Sequence, residues 1–270
     1  MRIQPINYCV TKERRGIKMS NKEIVYIAEL DNDVDDVIAA EYLYNAGVLK
    51  CVVCDPRPST KDGKMREQML KDIGIEVLYK MPPIAKYVFV GGALTLVSQY
   101  VKTHRIEYLI MNGGFAGTNV VSPENELDKF KGKTYIRTFN FNCDVNAADC
   151  VLRSTTRNIS HIVLVGKNVC HSEKNTEDFL WNDTISKALF RKYHVKPGKR
   201  QHDMLACHEG LCILNQNSLI DINMSNPYCS FEPLYPCIES GLQGNMTKWG
   251  STRQKEKTPY RKCFVAVGYR

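Results

Sequence analysis

The chain has 270 residues, 43% hydrophobic and 24% charged, with 17 Gly and 11 Pro. These are the proportions of a globular protein with a sizeable core, and they exclude a collagen, an acidic disordered chain and a low-complexity scaffold. The formal charge of +8 is uneven: residues 1–22 hold +5 and residues 245–270 hold +6, which leaves the body at −3.

From the N-terminus, a basic extension over 1–22 precedes the first apolar run, EIVYIAEL (23–30). Further β-rich runs follow at 48–54, 86–90, 107–111, 133–139 and 161–165, with helix-like stretches at 35–47, 61–74, 94–104 and 144–156. More helix is expected over 173–193 and 201–215, and short strands and turns over the last 35 residues. Strands alternating with helices predict an α/β fold, a largely parallel sheet covered on both faces, here one domain over 23–270. In such a sheet, ligands bind outside the C-terminal ends of the strands, so chemistry is sought just after each apolar run.

No run is long enough for a membrane-spanning helix, and residues 1–22 lack the apolar segment of a signal peptide, so a cytoplasmic protein is expected. Eleven cysteines at irregular spacing, with a lone C-x-x-C at Cys51 and Cys54, read as reduced thiols packed as small hydrophobes. Nucleic-acid binding has only the basic ends in its favour, with no binding motif and no interleaved aromatics.

After the first strand, ELDNDVDD places Glu29, Asp31, Asp33, Asp35 and Asp36 within eight positions. On an extended strand, Glu29, Asp31 and Asp33 would point the same way, and Asp35 and Asp36 would open the next helix, at its positive end. One or two acids suffice to cap a helix; five repel one another unless a cation neutralises them, and oxygen ligands point to Ca²⁺ or Mg²⁺. The segment ELDNDVDDVIAA resembles the N-terminal signature D-x-D-x-x-x-D-D of the nucleoside hydrolases (inosine-uridine preferring nucleoside hydrolase family). The resemblance implies a Rossmann-like, mainly parallel sheet flanked by helices. It also implies Ca²⁺-dependent cleavage of the N-glycosidic bond of a ribonucleoside and a small homo-oligomer, a dimer or tetramer. Asp31, Asp35 and Asp36 keep the family's acids, and Glu29 replaces the supporting Asp.

Further segments resemble the family in the same order. VGGALTLVSQ (90–99) is similar to the G-x-L-T-N segment and makes Thr95 a Ca²⁺ ligand through its carbonyl, with Leu96 in place of Asn. LIMNGGFAGTNVVSP (109–123) is similar to the M-G-G strand end and the following turn, which gives Asn119 the ribose 5′ end. FNFNCDVNAADCV (139–151) is similar to E-F-N-I-x-x-D-P-E-A-A. This match makes Asn140 a ribose ligand and puts Thr138 where the family uses a Glu on the ribose. The loop over 124–133 is an insertion against that pattern. ACHEGLCIL (206–214) is matched to H-D-x-L-A, making His208 the leaving-base acid and Glu209 both Ca²⁺ ligand and ribose contact.

By this resemblance Ca²⁺ sits on Asp31, Asp36, Thr95 and Glu209, Asp31 takes a proton from water, and Asp35 and Asn140 bind the ribose hydroxyls. The family's His-Gly-rich lid is missing between Lys80 and KYVFV. Loss of the Glu at Thr138, beside Arg137, and the basic run RKYHVKPGKRQ (191–201) suggest a 5′-phosphorylated substrate, a nucleotide or a dinucleotide such as NAD. A solvated basic loop is the other reading of that run. A degenerate relative that binds a nucleotide or a protein without turnover is the other reading of the whole.

Overall fold

Buried side chains alternate between two apolar layers along the first strand, β1 (Ile24–Ala28): Ile24, Tyr26 and Ala28 face one, Val25 and Ile27 the other. This is the pattern of a strand covered on both sides. The computed structural model describes residues 23–118, 120–178, 180–220, 227–240, 247–252 and 260–270. The basic extension over 1–22 and Asn119 lie outside the described residues.

After β1 come α1 (Asp35–Asn45), β2 (Leu49–Cys54), α2 (Lys61–Asp72), β3 (Val77–Leu78), β4 (Tyr87–Val90), α3 (Thr95–Tyr100) and β5 (Ile106–Asn112). The chain continues through β6 (Ile136–Arg137), α4 (Phe139–Cys143), α5 (Val145–Leu152), β7 (Ile159–Val165) and α6 (Lys167–Cys170). It ends with α7 (Thr184–Lys192), α8 (His202–Gln216), β8 (Cys229–Ser240), β9 (Thr247–Thr252) and β10 (Cys263–Tyr269). The described strands form one sheet in the order β3-β2-β1-β4-β5-β7-β10-β8-β9-β6. From β3 to β10 neighbours run parallel; β8, β9 and β6 extend the sheet by antiparallel pairing. Helices α1, α7 and α8 contribute to one apolar layer, and α3 and α5 to the other. The expected α/β architecture is therefore present.

Three expectations differ from the structure. The run 133–139 supplies only the two-residue β6 at the far sheet edge, paired with β9, while β7 takes the place beside β5. The described residues of 173–183 are not helical. Buried Asn175 donates to the carbonyls of Cys170 and Gln201 and accepts from Trp181 Nε1 at 2.9 Å, holding a turn by side-chain bonds. Helix starts at α7, where the Asp183 carboxylate accepts from the Ile185 and Ser186 amides. The C-terminal region holds the 12-residue strand β8 rather than only short pieces.

Cys51 and Cys54 lie three apart on β2 and so face opposite layers, each buried. Burial pushes their thiols up, to about 11 and about 12. No helix among the described residues is long and apolar enough to cross a membrane.

Candidate functional site

The residues that follow consecutive parallel strands converge on one cavity of about 300 Å³. Glu29 follows β1, Asp55 follows β2, Gly91 and Gly92 follow β4, Gly113 follows β5, and Lys167 follows β7 by two positions. Asn112, the last residue of β5, also lines it, as do Asp33, Asp35 and Asp36 at the start of α1 and His202 and Asp203 at the start of α8.

Asp35, Asp36 and Asp203 form the floor, each only 6% exposed. Asp36 Oδ1 accepts from the Tyr26 hydroxyl at 2.7 Å, and Asp203 Oδ1 from Asn112 Nδ2 at 2.7 Å. Asp35 Oδ2 accepts the His202 amide at 3.0 Å, which ties α1 to α8, whereas Asp35 Oδ1 is buried with no hydrogen-bond partner. Gly91 is needed here: a Cβ would lie 2.1 Å from Asp36 Oδ1 and 2.3 Å from the Tyr26 hydroxyl. Burial, then the charge of Asp33, pushes the Asp35 carboxyl up to about 7. Burial, joined by the repulsion among these acids, raises Asp36 and Asp203 well above the carboxylate range. Three acids so placed resist joint ionisation unless a cation joins them.

Thr138, Phe139, Asn140, Lys167, Cys170 and His171 form a further wall of the cavity. Asn140 Nδ2 donates to the carbonyls of Gly91 (2.7 Å) and Asn112 (2.8 Å), fixing α4 to two strand ends. The Thr138 hydroxyl is buried without a partner. Phe139 is 52% exposed and forms part of the cavity surface. Burial and the Lys167 charge lower His171 to about 3 and His202 to about 4, so both imidazoles are neutral at pH 7. Their ring centroids stand 4.9 Å apart.

Of the residues singled out from sequence, the cavity brings together Asp35, Asp36, Thr138 and Asn140. It does not include Asp31, Thr95, His208 or Glu209, and each is occupied elsewhere. The chain leaves the strand after Ala28, so alternation no longer carries Asp31 to the side of Glu29. Asp31 instead accepts the amides and hydroxyls of Ser59 and Thr60, at 2.7–3.1 Å, at the N-terminal end of α2. These bonds outweigh desolvation, the largest single influence, and hold its carboxyl down at about 2. A Cβ at Gly63 would sit 2.0 Å from Asp31 Oδ1, so the helix start is shaped to this carboxylate. The Thr95 hydroxyl donates to Asp144 at 2.9 Å, and its carbonyl accepts from the Ser98 hydroxyl at 2.8 Å.

His208 is a core residue. Its ring stacks on Tyr228 with centroids 4.2 Å apart, its Nδ1 meets the Tyr42 hydroxyl at 2.9 Å, and Trp181 packs edge-on. Glu209, fully buried, accepts the amides of Tyr228 (2.9 Å) and Cys229 (3.2 Å) at the start of β8. Burial pushes its carboxyl up to about 7. The acid and imidazole that α8 brings to the cavity are Asp203 and His202. The signal for them was present: HDMLA (202–206) spells H-D-x-L-A without substitution, six positions before the matched segment.

The mainly parallel α/β sheet flanked by helices is the fold of a nucleoside hydrolase of known structure. The solved structure of an inosine-uridine preferring nucleoside hydrolase from Bacillus anthracis is similar to this chain with a TM-score of 0.52 at 14% identity, covering 92% of this chain and 95% of that one. An uncharacterized protein of Aquifex aeolicus (strain VF5) is 26% identical over 181 residues, 62% of this chain and 54% of its own length. The chain thus spans about half the length of that curated relative. No protein-family profile matches the chain.

Proposed function

We propose that the protein hydrolyses the N-glycosidic bond of a ribonucleoside or ribonucleotide with the help of a divalent cation. The observation that carries this reading is the buried trio Asp35, Asp36 and Asp203 at the strand ends, with Asp35 Oδ1 left without a partner. Among the described residues no three His, Cys, Asp or Glu side chains already stand in a metal-coordinating arrangement. The donor chemistry nevertheless fits a hard cation: carboxylate oxygens, mutual repulsion and one orphaned acceptor. Asp36 and Asp203 would hold Ca²⁺ with Asp35 beside them, in place of the set Asp31, Asp36, Thr95 and Glu209.

A bound divalent cation supplies Lewis acidity toward a water and toward vicinal hydroxyls. The chain's own residues do the rest. Asp35, with an unengaged oxygen, accepts a proton from water or a ribose hydroxyl. Asn140, locked by two backbone carbonyls, positions the sugar. The exposed ring of Phe139 offers an apolar face to the base, and His202, neutral at pH 7, offers the base a hydrogen bond rather than the proton assigned to His208.

Base release from inosine and uridine, followed with Ca²⁺, with chelator and in Asp203→Asn, tests the proposal. Turnover that survives both chelation and that substitution refutes it. One observation favours binding without turnover: Asp36 and Asp203 each already commit an oxygen to Tyr26 and Asn112. That reading predicts nucleoside binding with no base released.

A further inference from the structure

The lining of the cavity also holds basic groups that bond cleavage does not use. Lys167 lines the cavity, and its Nζ stands 3.1 Å from His171 Nε2. Lys129, in the turn at Asp128–Phe130, is close enough to Lys167 and Arg200 to feel both charges, and Arg137 acts on Lys167 in the same way. Lys129 and Arg200 also act on His171, so three cations from three further segments lie within electrostatic reach of the cavity residues Lys167 and His171. Among the described residues no carboxylate pairs with Lys129, Lys167 or Arg200. Asp33, an acid of the cavity, is itself paired with Lys199 at 3.2 Å.

Gathered cations repel as gathered carboxylates do, and the arrangement is relieved by an anion. Thr138 follows Arg137 directly and brings to the wall a buried hydroxyl with no partner and no negative charge. Phosphate is the anion this chemistry suits, because its oxygens accept charge-assisted hydrogen bonds from Lys and Arg.

We propose that this wall is a subsite for a phosphate ester at the ribose 5′ carbon. Lys167, oriented by His171, contacts its oxygens, the Thr138 hydroxyl donates to it, and Lys129, Arg137 and Arg200 surround it with positive potential. The identity of the rest of the substrate rests on the N-ribosyl hydrolase reading; the phosphate contact does not need turnover.

The test has two arms, both on the full chain with Ca²⁺. Calorimetry compares ribose 5-phosphate with ribose, and base-release kinetics compare inosine, inosine 5′-monophosphate and NAD. Ribose 5-phosphate should bind at least roughly tenfold tighter than ribose, and Lys167→Met should weaken it roughly 10- to 100-fold. Arg137→Ala, at an exposed position, should reduce the same preference if Lys167→Met fails to fold. Preference for the monophosphate assigns a monoester, and preference for NAD assigns a pyrophosphate; either supports the subsite. Equal binding of ribose and ribose 5-phosphate, or inosine turned over as well as its 5′-phosphate, overturns it. Discrimination between the two sugars without any base release removes the hydrolase reading and leaves the subsite standing.

Discussion

Glu209 distinguishes a ligand of the site from a support of the fold, and Glu209→Ala tests which it is. Its two oxygens accept the buried amides of Tyr228 and Cys229, which open β8. A buried donor left without an acceptor costs roughly 1–3 kcal/mol. With water reaching one of the two, the substitution should cost about 1–3 kcal/mol, or roughly 2–12 °C in Tm. Glu209→Gln keeps one acceptor and should cost less. Its deficit should also depend on pH. Burial raises the Glu209 carboxyl in the folded state to about 7 from the ordinary value of 4.5. The wild type therefore loses stability as pH rises from about 4.5 to about 7, which the glutamine does not share. The gap between the two should shrink across that window. Thermal melts in chelator and in Ca²⁺ give the readout, and the Ca²⁺-induced rise should survive in both variants. Loss of that rise with an unchanged Tm in chelator would show that Glu209 reaches the cation and that its bonds to β8 matter little.

Asp35→Asn should raise stability in chelator at pH 7.5, since burial and Asp33 disfavour the charged form, and should abolish the Ca²⁺-induced rise. At pH 2.5, below both the ordinary value of 3.8 and the folded value of about 7, the two should melt together in chelator; a persistent gap would contradict the argument. Asp31→Ala removes the acceptor of the Ser59 and Thr60 amides and should cost about 1–2 kcal/mol, with faster amide exchange in the first turn of α2 and the Ca²⁺ response retained. For the wild type this contribution is present above the usual carboxylate pKa and lost as pH falls toward about 2. Phe139→Ala should raise KM for nucleosides several-fold with little change in Tm, because the ring is half exposed; a large loss of Tm would place the ring in the fold instead.

The sheet was legible because its strands are apolar runs of the right length, and the cavity because it lies where those strands end. Asp35, Asp36, Thr138 and Asn140 lie in the cavity for that reason. The acidic cluster was harder to apportion. Glu29 accepts the Asp31 amide at 2.9 Å and Asp33 accepts the Asp35 amide at 2.7 Å, so the segment turns on its own side chains and leaves the strand geometry that alternation assumes. The partner of Asp31 sits 28 residues away, at Ser59, and no local pattern announces it. Thr95 is a similar case: its hydroxyl goes to Asp144, on a different helix cap.

The misplacement on α8 has a geometric cause that also explains the helix. A residue six positions on lies about 240° round the axis, so His208 and Glu209 leave the side occupied by His202 and Asp203. Seven positions on from Asp203, within about 20°, is Gly210, where a Cβ would stand 2.7 Å from the Phe89 ring. That face lies against β4 and β5, and Asp203 is its end nearest the cavity, where it meets Asn112 at the tip of β5. His208 looks toward Tyr42 of α1 and Trp181, and Glu209 toward the start of β8. A helix that carries a site acid at its first turn thus spends its next two polar residues on its other neighbours. Bulk at Gly210 would lift the helix from the sheet and carry Asp203 with it. Gly210→Val should therefore weaken the Ca²⁺ response although residue 210 touches no cavity atom, and a Ca²⁺ response equal to wild type in a folded variant would deny that α8 positions the acid.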